Sequence, residues 1–414
     1  MTHSPHPDRD PNSEPPSEPQ PSHRSSRFRQ IRRIAIPVGI TLAIGTGGLA
    51  FWGWRFIHEE LPGIVAKNLG ETLNRPVKVG DVEGISLSGL VIGESSIPPT
   101  ADDTDEASVQ RIEVGFNLWQ TLTTGKLKLA ITLKDATIFL EQQKEGWVTT
   151  RLKTQEEGRI ELGTIRVENA TARLLGLGTI AGKRSVVVLN QINGRLDLFD
   201  QNQRFSYELS GQSATDGKFK LLGETLLPSQ ETNLQVQAEN FLVSEVDRLL
   251  NLPFDLPKGR AGGNFNVELS PNIKNPPING TAQFQEVTLA IPGIPRPFVR
   301  AKGTLQFRGN QVLPENVVGT YGKATGIVNG AIDLNKGFDL SAKIQPISLP
   351  DLTETLKLSL PFPVEGRVTA DLKVTGPIEQ PILSGVARSI APGKVDRIAL
   401  ENYNTAFVLN TADE

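Results

Sequence analysis

The chain lacks cysteine altogether, and its four histidines (His3, His6, His23 and His58) all fall within the first 58 of its 414 residues. With no cysteine there are no disulfides, thiolate metal sites or cysteine nucleophiles. With no histidine beyond residue 58, an imidazole-based triad and the usual histidine zinc site are excluded from the rest of the chain. A dominant charge is lacking too: 43 Lys plus Arg stand against 46 Asp plus Glu, a net charge of −3, so no global field draws the chain to nucleic acid. The sequence therefore reads as that of a non-enzyme with no catalytic residue, no metal and no cofactor.

What is abundant is turn chemistry. The chain has 39 glycines and 29 prolines beside 38% hydrophobic residues, a balance that leans towards an all-β protein. Residues 1–33 form a Pro- and Ser-rich tail, expected to be disordered, that ends in Arg24, Arg27, Arg29, Arg32 and Arg33. The uncharged run IAIPVGITLAIGTGGLAFWGW from Ile34 to Trp54 is long enough, at roughly 31 Å as a helix, to cross a bilayer core. We assign a transmembrane helix to 34–57, with a cleaved signal sequence as the alternative. The preceding arginines keep the tail in the cytoplasm and place the bulk of the chain on the far side. Leu61, Val65, Leu69 and Leu73 then recur at spacing four, predicting an amphipathic helix over 58–76 that Pro76 ends.

From residue 77 onward the period changes to two. In RIEVGFNL the residues Ile112, Val114, Phe116 and Leu118 share one face, and in KLKLAITL so do Leu127, Leu129, Ile131 and Leu133. Gly80, Gly84, Gly89 and Gly93 interrupt the earliest such run and are expected to allow tight reversals. Similar phrases continue almost to the end, predicting about 25 short strands, antiparallel and meandering, with helical inserts at 244–251 and 349–358. Each insert precedes a matching phrase: LPF at 252 and 360, Gly259-Arg260 and Gly366-Arg367, Pro271 and Pro377, Gly280 and Gly385. The separations are 105 to 108 residues, the mark of a repeat array. The organisation reads as a β region over 77–240, a first repeat over 241–345 and a second, apparently incomplete, over 346–414.

Other candidate motifs carry less. DDTDE at 102–106 lacks EF-hand spacing and is expected to be a solvated loop; TTGKL lacks the flanking residues of a phosphate loop. Glu156 and Glu157, as sequence neighbours, face opposite ways on a strand. Gly322, Gly326 and Gly330 are expected to mark bends in a curved sheet.

The order of one span, a helix ending in LNRPVKVGDVEG, and then ISLSGLVIGESSIPP resembles the start of the TamB-like family of the translocation and assembly module, within the wider AsmA-like group. The phrases GNQVLPENVVGTYGKATGIVNGAIDL and LPFPVEGRVTADLKVTGPIEQPILSGVA are similar to that family's strand repeats, particularly in its cyanobacterial and plastid-envelope members. The resemblance implies a long sheet folded into an open, taco-like groove, anchored in the inner membrane and crossing the periplasm. It implies a part in outer-envelope biogenesis, either by lipid transport between membranes or by secretion and assembly of outer-membrane proteins. It also implies an outer-membrane barrel partner, met through a characteristic C-terminal domain that the sequence reading does not find here, so the chain reads as the family's N-terminal portion. In such a groove Leu127, Leu129, Ile131, Leu133, Ile112, Val114, Phe116 and Leu118 would line a trough for phospholipid acyl chains. In a closed sandwich the same residues would be covered by a second sheet.

Overall fold

The structure is a computed structural model that describes residues 75–410, apart from 87, 102, 118, 120–122, 124–126, 144–159, 181, 201–202, 251, 253, 271–275, 293 and 379. The expected tail, membrane span and most of the amphipathic helix lie outside the described residues, as do Leu118, Glu156 and Glu157. Among the described residues no helix is long and apolar enough to cross a membrane.

Among the described residues twenty strands and two helices follow in chain order. The first ten strands are β1 (Val82–Ser86), β2 (Gly89–Ile92), β3 (Ser95–Ile97), β4 (Glu106–Phe116), β5 (Leu127–Glu141), β6 (Ile160–Leu175), β7 (Val187–Phe199), β8 (Arg204–Ser213), β9 (Lys218–Leu226) and β10 (Glu231–Leu242). Helix α1 (Val243–Leu250) leads to β11 (Asp255–Leu269), β12 (Ile278–Ala290), β13 (Phe298–Gly309), β14 (Gln311–Tyr321), β15 (Ala324–Asp333) and β16 (Gly337–Ser348). Helix α2 (Leu349–Thr355) leads to β17 (Val364–Gly376), β18 (Ile382–Val395), β19 (Ile398–Leu400) and β20 (Asn404–Asn410).

All twenty strands belong to one sheet. Neighbours in sequence pair from β4 through to β18, β2 joins β1 to β4, and β20 covers the far side of β18. Small strands β3 and β19 share the edges of β4 and β18. Every pairing is antiparallel except that of β5 with β6, which is parallel. No pairing joins β1 to β20, so the sheet is open, and no second sheet covers it among the described residues.

The strands are fewer and longer than the sequence predicts: β4 to β18 run from 9 to 16 residues. Phrases broken by glycine or asparagine fuse because the chain absorbs the interruption as a bulge instead of a turn. Asp135, Asn169, Gln191, Asn240, Glu286, Arg300 and Asn316 all have left-handed φ between 50° and 57° inside strands, and Gly259 and Gly366 take φ 120° and 132° in β11 and β17. Register shifts accompany most of them, as between Val167 and Ala170, Ala238 and Phe241, Phe284 and Val287, and Val312 and Val317. Each lies at or beyond the midpoint of its strand towards the same rim, so the bulges form a crease running across the sheet. Side chains satisfy the backbone groups freed there. The Asn169 amide N–H donates to Asn193 Oδ1 at 2.9 Å, that of Asn316 to Asn329 Oδ1 at 2.7 Å, and Arg260 donates to the Asn240 carbonyl at 2.6 Å. Asn and Asp suit these positions because their short polar side chains tolerate the left-handed region.

The two rims differ. From β6 onward, one rim is made of the hairpin turns that follow odd-numbered strands. The other carries both helices and the three longest described connections, at 176–186, 243–254 and 349–363. Each helix is clasped to the tight turn of the hairpin that precedes it. Thr215 donates to Glu245 of α1 at 2.9 Å, while Lys323 reaches Asp351 and Glu354 of α2, both at 2.8 Å, and the Lys323 amide donates to Thr355 Oγ1. The helices start at 243 and 349, so the sequence repeat corresponds to a unit of six strands and one clasped helix. Helix α2 ends at Thr355, three residues short of the predicted 358, where Leu356 and Lys357 turn out of the helix.

The opening glycines work differently from the expectation. None of Gly80, Gly84, Gly89 and Gly93 has left-handed φ. Three of them allow close approach instead: a Cβ on Gly80 would meet the Gly93 carbonyl carbon at 2.8 Å, one on Gly93 the Glu83 carboxylate at 2.8 Å, and one on Gly89 the Val114 carbonyl at 2.5 Å. Of the later trio, Gly322 (φ 57°) and Gly330 (φ 134°) do occupy conformations that glycine favours, and Gly326 does not.

The crease is testable at Gln191. Replacing it with glycine preserves stability, whereas Gln191→Val, a β-branched residue forced to positive φ, lowers it by about 1–2 kcal/mol in urea unfolding. Equal stabilities for the two variants would mean that the bulge is not held in the left-handed region.

Candidate functional site

The sequence-predicted lining residues come together across neighbouring strands. Ile112, Val114 and Phe116 of β4 stand opposite Leu133, Ile131 and Leu129 of β5, and Ile131 and Leu133 stand beside Ile165 and Val167 of β6. These side chains of β4 and β5 are half-buried. Leu127 opens β5.

The ladder extends far beyond these residues. One row of register partners runs Val82, Ile92, Ile112, Leu133, Val167, Gly194, Leu209 and Leu221 through β1, β2 and β4 to β9. It continues as Val236, Phe265, Gly280, Phe307, Val312, Ile332, Phe338 and Gly376 through β10 to β17. Sixteen strands thus contribute one residue each, and the row contains no polar side chain. At about 4.8 Å per strand, the contour of that row is roughly 70 Å. Sequence reasoning placed the lining only in β4 and β5; the later members sit in phrases already legible as strands, such as FSYELSG and KFKLLG, and needed only the register.

Between the crease and the hairpin-turn rim, the register partners on this face from β7 to β18 include no Asp, Glu, Lys or Arg. The opposite face holds the ions, paired across strands: Lys134 with Glu113 at 2.8 Å, Lys220 with Glu208 at 2.6 Å, and Arg388 with Asp371 at 2.5 Å. Along β10 the two faces alternate cleanly, with Leu234, Val236 and Ala238 half-buried and Asn233, Gln235 and Gln237 exposed. A strand in a closed sandwich would bury its apolar face fully. Here only nine Val, Ile and Ala side chains, beside Pro314, are fully buried among the described residues: Val82, Ile92, Ala170, Ala172, Val187, Val243, Val287, Ile347 and Val368. Most of these sit close in sequence to the crease. Further out the apolar face is shielded on one side only.

Large and small residues alternate along the lining. Gly280 lies between Phe265 and Phe307, whose rings meet above it edge to face with centroids 5.6 Å apart. Gly223 stands opposite Tyr207, Gly211 opposite Phe219 and Gly385 opposite Phe407. An aromatic ring lying over a neighbouring glycine fills the space a side chain would take and lets the sheet bend sharply there. Burial raises the Tyr207 phenol above its usual pKa, so its hydroxyl, hydrogen-bonded to Thr225, stays neutral in the lining.

At the helix-bearing rim, α1 lies against β6, β7, β10 and β11 and buries Val243, Ser244, Glu245 and Asp247. Asp247 is 1% exposed; it accepts the Leu256 amide at 2.8 Å, and the Gly178 amide donates to the Arg248 carbonyl. Burial pushes the Asp247 carboxyl up from its ordinary range, partly offset by that amide. Within the acidic stretch, Asp103 and Asp105 are held in place, unlike the solvated loop expected. Arg75 pairs with Asp103 at 3.2 Å and donates to the carbonyls of Pro98 and Asp105, while buried Asp105 accepts the Glu141 amide at 2.8 Å. Among the described residues no cluster of acids or histidines could hold a metal ion.

The TamB C-terminal domain matches residues 203–412, from the hairpin turn before β8 to the end of β20. The chain belongs to the TamB family. The matched stretch corrects the sequence reading, which found no such domain. That domain is written in the same glycine-spaced strand phrases as the repeats, so no separate motif announces it. The chain is also 24% identical over 250 residues to Protein TIC236, chloroplastic, of Arabidopsis thaliana, covering 56% of this chain and 11% of that protein. It is 28% identical over 163 residues to Protein SUBSTANDARD STARCH GRAIN 4, chloroplastic, of Oryza sativa subsp. japonica, covering 38% of this chain and 8% of that protein. This TamB-family chain therefore matches about a tenth of the length of either relative.

The buried acid of α1 gives a pH signature. Because its folded-state pKa is raised, Asp247 costs stability once pH climbs through that value and costs none below the unfolded value of 3.8. Asp247→Asn should therefore be more stable than wild type at pH 7 in thermal unfolding, with the gap closing as pH falls below 4. A gap that widens on acidification would show that the carboxylate is held by a favourable charge instead.

Proposed function

We propose that this chain is an inner-membrane-anchored, periplasmic bridge that moves phospholipids between membranes by seating their acyl chains along the uncharged face of its sheet. The observation that carries the reading is the row of sixteen residues without a polar side chain, one per strand, half-exposed beyond the buried Val82 and Ile92 and with no second layer over it among the described residues. Each methylene removed from water is worth about 0.8 kcal/mol, and the attraction requires no particular residue. A guest can therefore slide, because successive rungs offer nearly equal wells. The headgroup stays at the open side, in water. In this reading residues 34–57 hold the chain in the inner membrane with its N-terminus in the cytoplasm, and an outer-membrane barrel protein receives the far end. No nucleic acid and no catalytic step take part.

A second reading, a scaffold for secretion and assembly of outer-membrane proteins, draws on β20. That strand, NTAFVLN, has no charge and no proline, its Val408 is 71% exposed, and no described strand pairs with its outer edge. Such an edge accepts an added strand.

The full-length protein, purified in detergent and analysed by mass spectrometry, should carry phospholipid. Leu129→Asp with Ile131→Asp should lower the bound lipid severalfold, while Thr132→Asp on the other face leaves it unchanged. Wild-type protein that carries no lipid but crosslinks through β20 to unfolded barrel polypeptide would replace the first reading by the second.

A further inference from the structure

The lining is interrupted at one place. Between the crease and the hairpin-turn rim, the register partners on this face from β7 to β17 include three polar side chains among the described residues: Tyr207 of β8, Thr225 of β9 and Thr232 of β10. They stand on successive strands, all half-buried, and they are joined. Thr225 and Thr232 are register partners with hydroxyl oxygens 2.9 Å apart, and Thr225 also hydrogen-bonds the Tyr207 phenol. The Tyr207 ring reaches Thr225 by lying over Gly223, where a Cβ would collide with it.

Three hydroxyls carry three protons, and a chain of three uses two of them. Whichever way the chain runs, one O–H proton is left over at its end. No other hydrogen bond of these three hydroxyls is found among the described residues. The first two bonds polarise that last O–H and make it a better donor. Its complement is an uncharged acceptor, because the same partners include no Lys or Arg to balance an anion, and Arg204 is engaged by Asp200 and Glu224 on the opposite face.

The position narrows the acceptor further. Tyr207 lies two residues from Leu209 of the apolar row, Thr225 four from Leu221 and Thr232 four from Val236, all towards the hairpin-turn rim. At about 3.3 Å per residue the threonines stand roughly 13 Å from the row. A chain laid on the row therefore ends near the hydroxyls, with its polar end at the rim. An acyl ester has a neutral carbonyl oxygen at that end of its hydrocarbon chain.

We propose that the linked hydroxyls of Tyr207, Thr225 and Thr232 form an ester subsite, donating one hydrogen bond to the acyl carbonyl of a lipid seated in the groove. The subsite rests on the lipid-carrying function proposed for that groove and adds a selected chemical group to it. It is a stopping point on a rail whose other rungs offer only apolar contact, and it favours acyl esters over lipids whose chains are joined by ethers.

The test exchanges the full-length protein in detergent against an equimolar mixture of dioleoyl phosphatidylcholine and its dioleyl ether counterpart, which has the same chain length and headgroup but no carbonyl. Mass spectrometry after repurification reads the ratio of the two on the protein. Wild type should be enriched in the ester by about threefold or more, the size of one hydrogen bond made in competition with water. Tyr207→Phe, Thr225→Val and Thr232→Val together should abolish the preference, while Ser206→Ala, on the opposite face of β8, should keep it. Removing all three hydroxyls strands none of them, so the triple variant should retain the wild-type circular dichroism spectrum. If it does not fold, the wild-type ratio alone decides. Equal uptake of the two lipids by wild type, or an ester preference that survives in a folded triple variant, overturns the ester subsite and leaves the groove's function standing. Wild type that takes up neither lipid overturns both.

Discussion

A sheet this large has one face that cannot be left flat and wet, and the chain resolves the problem without a second layer. It places a left-handed residue inside strand after strand, so that the ladder folds along a line while its hydrogen bonding continues on either side. The fully buried residues gather near that line, the apolar partners beyond it become a half-sheltered surface, and the ions are left facing solvent. Remove the crease and the same sequence would present its apolar residues on an open plane, a surface that soluble proteins avoid.

The helices are secondary to that constraint but not incidental. Each seals the crease-side rim once every six strands, and each is tied to a tight turn two strands before it. In α1 the tie is a threonine to a buried glutamate; in α2 it is a lysine shared by two carboxylates at the surface. The same geometry is held by different chemistry, which fits a repeat whose copies have diverged in side chains while keeping their spacing.

Much of this was legible in the residues. Period-two alternation identified the strands, and Ile112 to Phe116 and Leu129 to Leu133, read as sharing a face, are register partners on neighbouring strands. What the residues did not reveal was register. Whether Val236 meets Phe265 or its neighbour depends on where bulges fall, and Gln191 or Arg300 gives no local sign of a left-handed backbone. Strand number was overcounted for the same reason, since an asparagine within a run reads as a break until its partner strand is known. The parallel joint was also hidden, because the connection from β5 to β6 has no helix-length period to betray it. The C-terminal domain of the family went unrecognised because it shares its vocabulary with everything before it.

That parallel joint has a lasting effect on how the molecule can grow. By advancing one position without reversing direction, β6 fixes the parity of all that follows, so that strands β6, β10 and β16 end on the same side and the helices after β10 and β16 emerge there. A lineage that gained or lost one strand downstream would throw the next helix to the wrong side, away from the turn that clasps it. Lengthening is thus restricted to even increments, and a ruler built on this plan is divided in hairpins.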